Sequence, residues 1–296
     1  MHAYTSLSLL AVVLLVTTFC SAPATVLISS AGRSATFHHN TRHIGDYRLA
    51  TGNSTTNGLL NWRYTTGDAV YSAPTVSDGI VYIGSNDSNI YALNATTGAK
   101  VWSFRTGSAV ESNPIVSNGI VYVGSDDNNV YALNARAGTK VWNYTTGDEV
   151  ESNPTVANGI VYVGGDDTNV YALDAWTGMK IWSYKTEGKV PSSPTVSNGI
   201  VYVGSADRNI YALNARTGTK VWNYTTGDSV LSDPTVANGI VYVGSDDNNV
   251  YALDARTGGV VWSFLTGDVV ESSPTVVNGI VYVGSADHNI YALGKP

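Results

Sequence analysis

The chain reads as all-β: a six-bladed β-propeller of four-stranded antiparallel blades. Three observations predict this. Trp62, Trp102, Trp142, Trp182, Trp222 and Trp262 recur at a spacing of forty residues without an insertion, as do Pro74, Pro114, Pro154, Pro194, Pro234 and Pro274. Near copies of GIVYVGS begin at Gly79, Gly119, Gly159, Gly199, Gly239 and Gly279. A fixed period of this length marks a solenoid, an array or a propeller. The composition of the 296 residues, with 30 Gly and 19 Tyr but only 4 Phe and 2 Met, is that of many short strands joined by tight turns.

Each unit supplies four strands. The first is Pro-Thr-Val after a serine, as in Ser192 to Val196. A Ser-Asn-Gly or Ala-Asn-Gly turn follows, the strongest short hairpin signal. The second strand is I-V-Y-V-G, and a loop with Asp and Asn at fixed places leads to the third, N-I-Y-A-L. Thr-Gly leads to the fourth, K-V-W-N-Y. No window carries apolar residues at spacings of three and four, so no helix is expected. The apolar runs are continuous, which predicts sheets covered on both faces, as stacked blades are.

The ends of the repeat array predict how the ring closes. The first unit opens with a fourth strand, Leu59 to Tyr64, and the last ends after a third, Asn289 to Leu293. Pairing the two completes the sixth blade and removes the exposed sheet edges. The expected organisation is therefore a signal segment over 1–24, a lead-in over 25–57 that packs on the propeller, and the propeller itself over 58–296.

Leu7 to Val16 is an apolar run of signal-peptide length, followed by small residues from Ser21 to Ala24. Cleavage is expected after Ala22 or Ala24. A lipid anchor on Cys20 is a second reading, with Phe19 where a small residue is wanted, and an uncleaved anchor is a third. All three place the body outside the cytoplasm, secreted or at the cell surface, with no span in the mature chain. Sequons at Asn53, Asn86, Asn94, Asn143 and Asn223 fit that placement. Cys20 is the single cysteine, so the mature chain has no disulfide, thiolate nucleophile or cysteine-held metal.

Charge argues about partners. The formal net charge is −7, which excludes a nucleic-acid partner of the usual kind. Strand direction puts the loops joining strands four to one and two to three at one end, the top. Nineteen of the 23 acidic residues fall there, against Arg105, Lys185, Lys189 and Arg208. Lys100, Arg136, Lys140, Lys180, Arg216, Lys220 and Arg256 lie at the bottom. The molecule should be acidic above and basic below.

The tandem pattern A-x-D/N-x-x-T-G-x-x-x-W, first seen from Ala92 to Trp102, recurs to Trp142 (with Ala137 for Thr), Trp182, Trp222 and Trp262. It resembles the tryptophan-docking motif of the PQQ-like (pyrroloquinoline quinone) repeat propellers. The lead-in from Phe37 to Gly45 is similar to the segment before the repeats in secreted members. The resemblance implies that Trp62, Trp102, Trp142, Trp182, Trp222 and Trp262 dock one blade on the next. It also implies two roles known in the family. One is a non-catalytic envelope scaffold, since such repeats build a propeller lipoprotein of the bacterial outer-membrane barrel-assembly machinery. The other is a quinone-dependent dehydrogenase with PQQ and calcium. The enzymes have eight blades, commonly with a vicinal cysteine pair, which this chain lacks.

The binding reading is the expectation: a scaffold without a cofactor that takes a protein, glycan or cell-envelope partner on its acidic top. One top position varies between units, as Tyr71, Glu111, Glu151, Pro191, Leu231 and Glu271. Tyr71, Glu111, Glu151, Leu231 and Glu271, with Asp68, Asp148, Asp228 and Asp268, are the candidate contact residues. Were the chain an enzyme, His288, the one histidine in a top loop, would be the general base. Glycoside hydrolysis by paired carboxylates such as Glu111 and Glu151 is a third class, without an apolar pocket to raise one pKa. The aspartates at 87, 127, 167, 207, 247 and 287 lack the further carboxylates that calcium wants and are read as turn residues. His38, His39 and His43 are read as packing residues, and no metal site is assigned. At the bottom, Trp176 stands where other units have Thr96, Arg136, Arg216 and Arg256, and is expected to be exposed.

Overall fold

A computed structural model describes residues 60–294. These contain strands and turns and no helix. The first blade is β1 (Thr75–Ser77), β2 (Ile80–Ser85), β3 (Asn89–Asn94) and β4 (Lys100–Arg105), hydrogen-bonded in that order and antiparallel throughout. Four further four-stranded blades repeat it: β5–β8 within 115–145, β9–β12 within 155–185, β13–β16 within 195–225 and β17–β20 within 235–265. The sixth has three strands, β21 (Thr275–Val277), β22 (Ile280–Gly284) and β23 (Ile290–Leu293). First strands of successive blades approach one another, so they are innermost.

The β1–β2 hairpin follows from its turn. Asp78 and Gly79 take φ of 49° and 74°, and Asn118 and Gly119 take 50° and 75°. Two successive left-handed residues make the turn whose twist matches the flanking strands. The third strand is covered on both faces: Ile90, Ala92 and Leu93 are buried. The fourth strand departs from the expectation of two covered faces. Ala92 pairs with Trp102, but Leu93 pairs with Lys100, so Val101 is an extra residue. The bulge repeats at Val141, Ile181, Val221 and Val261, all exposed. A bulge bends the outer strand and re-aims the adjacent side chain.

That side chain is the docking tryptophan. Trp142 is buried, and its Nε1–H donates to Ala175 O of the next blade at 3.0 Å. Tyr122 packs beside it, ring centroids 5.8 Å apart, and its hydroxyl donates to the same carbonyl at 2.9 Å. Gly178, at φ +71°, lies under the indole, where an added Cβ would sit 2.6 Å from Trp142 Cδ2. Glycine is required there twice over, for its backbone and for the missing side chain. The same bonds join Trp102 to Ala135, Trp182 to Ala215 and Trp222 to Ala255.

A second belt runs around the axis. Ser112, Ser152, Ser192 and Ser232 each donate through Oγ to the backbone carbonyl forty residues on, at 3.0–3.3 Å. Thr75 donates to Pro114 O, and Thr155, Thr195 and Thr235 repeat the bond one blade on. Buried hydroxyls thereby find partners in the next blade.

The predicted opening strand differs. Residues 60–64 are not in a strand, and β23 has no fourth-strand partner among the described residues. Leu59, the signal segment, Cys20, the lead-in histidines and Asn53 lie outside the described residues. Trp62 nevertheless docks on the first blade, donating to Ala95 O at 2.9 Å, and Tyr64 packs on Tyr91. The segment thus makes a fourth strand's contact with the next blade and not the ladder with its own. The sixth blade shows the consequence: Ile290 is 85% exposed where Ile90 is 0%, and Tyr282 is 40% exposed where Tyr82 is 1%.

Candidate functional site

Each residue of the variable top position immediately precedes a serine, and Glu111, Glu151, Pro191 and Leu231 precede the four belt serines, which places the position at the inner rim of the top. Tyr71 is 71% exposed there. Glu151 and Glu271 are exposed, and Glu111, Pro191 and Leu231 are half-buried. Asp68, Asp148, Asp228 and Asp268 stand further out. Each uses Oδ1 to accept the next residue's N–H, at 2.7–3.0 Å, and so closes its own turn. The structure therefore separates the candidate contact residues into an inner ring and an outer set engaged in turns. His288 is exposed at φ 71°, the left-handed hairpin position that Asn128 and Arg208 also occupy.

The aspartates at 87 and its repeats knit neighbouring units. Asp87 Oδ2 accepts Gly67 N–H at 2.6 Å and Tyr91 O–H at 2.7 Å, while Oδ1 accepts Asn89 N–H at 3.0 Å. Its carboxyl is held below the usual range; burial works against this, and the donors at Tyr91, Gly67 and Asn89 outweigh it.

A position that sequence reasoning passed over carries the unusual electrostatics. It reads Asn86, Asp126, Asp166, Ala206, Asp246 and Ala286. Oδ1 of Asn86, Asp126, Asp166 and Asp246 is buried without a hydrogen-bond partner. In the first unit the geometry is satisfied on the other side, where Asn86 Nδ2–H donates to Glu111 Oε1 at 2.9 Å. One unit later an acid, Asp126, takes the place of the amide, under the charges of Glu111, Glu149 and Glu151. Burial and the charges of Glu111, Glu149 and Glu151 push the Asp126 carboxyl up to about 6. Burial and Glu271 likewise raise Asp246. Glu151 is raised by burial and by Asp166, Glu111 and Glu149, with Lys189 pulling back. The signal that could have found this position was its alternation between Asn, Asp and Ala, small residues that fit a covered site.

Glu149, Glu151 and Asp166 converge, with one oxygen of each within 4.8 Å of the others. Lys189 reaches in from the next unit, its Nζ 2.5 Å from Asp166 Oδ2. The ammonium is held protonated by that hydrogen bond and by the charge of Asp166. Such an arrangement attracts cationic groups, as the Lys189 ammonium shows. At the bottom, Trp176 is 57% exposed beside Met179. The sequon residue Asn86 is half-buried with both ends of its amide engaged or covered, a poor acceptor for a glycan. No helix among the described residues is long and apolar enough to cross a membrane.

Comparison with known proteins agrees with this architecture. The sequence matches the family described as "Outer membrane protein assembly factor BamB" over residues 46–153, 126–233 and 225–295. No curated protein matches the chain. Among solved structures it is similar to the computationally designed Ika8 protein, at 19% identity and a TM-score of 0.69, covering 76% of this chain and 70% of that one. It is also similar to BamB from Moraxella catarrhalis, at 22% identity and a TM-score of 0.54, covering 79% of this chain and 86% of that one. The forty-residue period, the docking tryptophans and the matches over nearly the whole repeat array converge: the chain belongs to the PQQ-like repeat propeller family of BamB.

Proposed function

We propose that the protein is a non-catalytic scaffold of the cell envelope that binds a protein partner through its acidic top. The observation that carries the reading is the inner rim. There a regular frame presents an irregular series, Tyr71, Glu111, Glu151, Pro191, Leu231 and Glu271, with acidic and apolar groups side by side. Irregular exposed residues on a rigid repeat are where recognition is placed. The carboxylates steer a basic partner surface, and Tyr71 supplies an anchor of the kind that dominates binding energy. The membership in the BamB family supports an envelope setting and a protein partner, and the signal-like segment supports secretion.

The ring itself closes in this reading. Residues 60–64 pair with β23, with Trp62 opposite Ala292 and Tyr64 opposite Ile290, the register that Trp102 and Phe104 keep with Ala92 and Ile90. The docked Trp62 supports that register. A platform with covered edges is then available for binding.

The test is cross-linking of the protein in its native envelope, with the cross-linked sites mapped by mass spectrometry. Partner cross-links should fall on the top loops and disappear in a Glu111→Lys/Glu151→Lys/Glu271→Lys variant that keeps its fold. Cross-links confined to the bottom around Trp176 and Met179 would overturn the assignment of the face. Saturable binding of pyrroloquinoline quinone with calcium would favour the dehydrogenase reading instead.

A further inference from the structure

We propose that the bottom of the propeller docks on an anionic membrane surface, with Trp176 and Met179 entering the headgroup layer and the cations around them meeting lipid charges. The inference does not depend on what the top binds.

The turn between third and fourth strands varies at two positions. They read Thr96 and Ala99, Arg136 and Thr139, Trp176 and Met179, Arg216 and Thr219, Arg256 and Gly259. One of these units carries large apolar residues, and it carries them at both positions. Trp176 is 57% exposed and Met179 71%, and Ile181 beside them is exposed as well. Clustered apolar side chains held in water mark a surface that is covered in use. The backbone beneath them is fixed. Asp174 Oδ1 accepts Trp176 N–H at 3.0 Å and Thr177 N–H at 2.8 Å. Ala175 N–H donates to Gly159 O at 2.9 Å, which ties this turn to the first hairpin of its blade at the same end. The two side chains therefore project from a rigid mount.

The surroundings identify what covers them. Arg136 and Lys140 flank the pair from the preceding unit, Arg216 and Lys220 from the following one, and Lys180 adjoins Met179; all five are exposed. None of them forms an ion pair among the described residues. The flanking turns are closed by Asn134 and Asn214, so no carboxylate offsets their arginines locally. With Lys100 and Arg256 the bottom carries seven cations against Asp78, Asp174 and Asp254, in a chain of net charge −7. Each docking tryptophan gives its indole N–H to a carbonyl of the next blade, whereas that of Trp176 meets no acceptor among the described residues. An amphipathic ring beside lysines and arginines on apolar stems suits the boundary between lipid headgroups and acyl chains. Equivalent turns of successive blades stand at one level around the axis. A flat, laterally uniform anionic surface meets them together.

Flotation of the full chain with lipid vesicles tests the proposal. Phosphatidylcholine with about 30 mol% phosphatidylglycerol should bind it at least about tenfold more tightly than phosphatidylcholine alone, and about 1 M salt should release it. Each cation near an anionic surface contributes about fivefold in affinity, so Arg136→Gln/Arg216→Gln should weaken binding about 25-fold. Arg105→Gln/Lys185→Gln removes the same charge at the other end and should bind as the parent does. Vesicles with brominated acyl chains should quench part of the fluorescence, since Trp176 is one of seven tryptophans. Trp176→Phe should stay bound and lose that quench. This readout separates the patch from the apolar run Leu7 to Val16, which holds no tryptophan. Every substituted side chain is exposed, so the fold is kept. Equal affinity for neutral and anionic vesicles, or a quench that survives Trp176→Phe, would overturn the proposal. So would failure to bind either vesicle, which would leave the patch to an acidic protein.

Discussion

Ala175 O sits under two donors, Tyr122 O–H at 2.9 Å and Trp142 Nε1–H at 3.0 Å, and this predicts a specific non-additivity. Tyr122→Phe removes one donor and leaves the carbonyl satisfied by the indole. Its cost should be that of a single net hydrogen bond, about 1 kcal/mol. Trp142→Phe removes the other donor and part of a buried ring, for about 2–3 kcal/mol in all. In the double variant the carbonyl loses both donors. Ala175 is buried, so water does not replace them. The orphaned acceptor adds the desolvation penalty, about 1–3 kcal/mol beyond the sum of the singles. The assay is a double-mutant cycle by chemical denaturation, followed by far-UV circular dichroism because a tryptophan is being changed. Heat gives a parallel reading, at about 2–4 °C per kcal/mol for a domain of this size. A cycle that closes within ~0.5 kcal/mol would refute the shared-carbonyl account, since independent sites add to that precision.

Three further outcomes are expected. With Cys20→Ser as background, Thr65→Cys/Asn289→Cys should oxidise to an intramolecular disulfide and raise the melting temperature, because these positions mirror the pair Arg105 and Asn89; a monomer that never cross-links would leave the ring open. Asp126→Asn should stabilise the protein above pH 6, by about 1 kcal/mol after screening, by donating to Glu151 as Asn86 does to Glu111. The sign follows from the folded carboxyl lying near 6, above its unfolded value of about 4: the parent loses stability as pH rises from about 4 through about 6, and denaturation at pH 5 and pH 8 should show this slope removed in the variant. Gly178→Ala should cost about 3 kcal/mol, from its φ of +71° and the indole 2.6 Å away, against about 1–2 kcal/mol for Gly159→Ala, at +76° with nothing within 4 Å; equal melting temperatures would remove the steric role of the indole.

The blade was legible because its determinants are local and repeat. Trp142 and Gly178 announce the docking, and Asn118 with Gly119 announces the hairpin. The bulge at Val101 was not legible, since one extra apolar residue in an apolar run changes no pattern that periodicity can register. The state of Asp126 and Asp166 was also hidden. Both stand in Ser-Asp-Asp or Gly-Asp-Asp loops that read as solvated, and what covers them comes from a loop some twenty residues away in the chain. Residues 60–64 carry a fourth strand's sequence, yet they join no ladder among the described residues, and β23, the strand that the proposed closure would pair them with, lies at the far end of the array. Pairing over that separation is specified by the whole ring and not by the segment.

The bonds from Thr155 to Pro194 and from Trp142 to Ala175 each reach one unit forward, and they recur between equivalent residues along the array, the threonine bond missing only its hydroxyl at Ile115 among the first five blades. Such a junction recognises the kind of its neighbour and carries no information about which copy the neighbour is. Within one chain, covalent order supplies that address. Between chains nothing does: a blade of one molecule offers its neighbour's site to the matching blade of another. Low concentration at the moment of folding, and the speed with which adjacent units meet, therefore do the work of telling self from non-self, and crowded refolding should yield chains exchanged at unit boundaries.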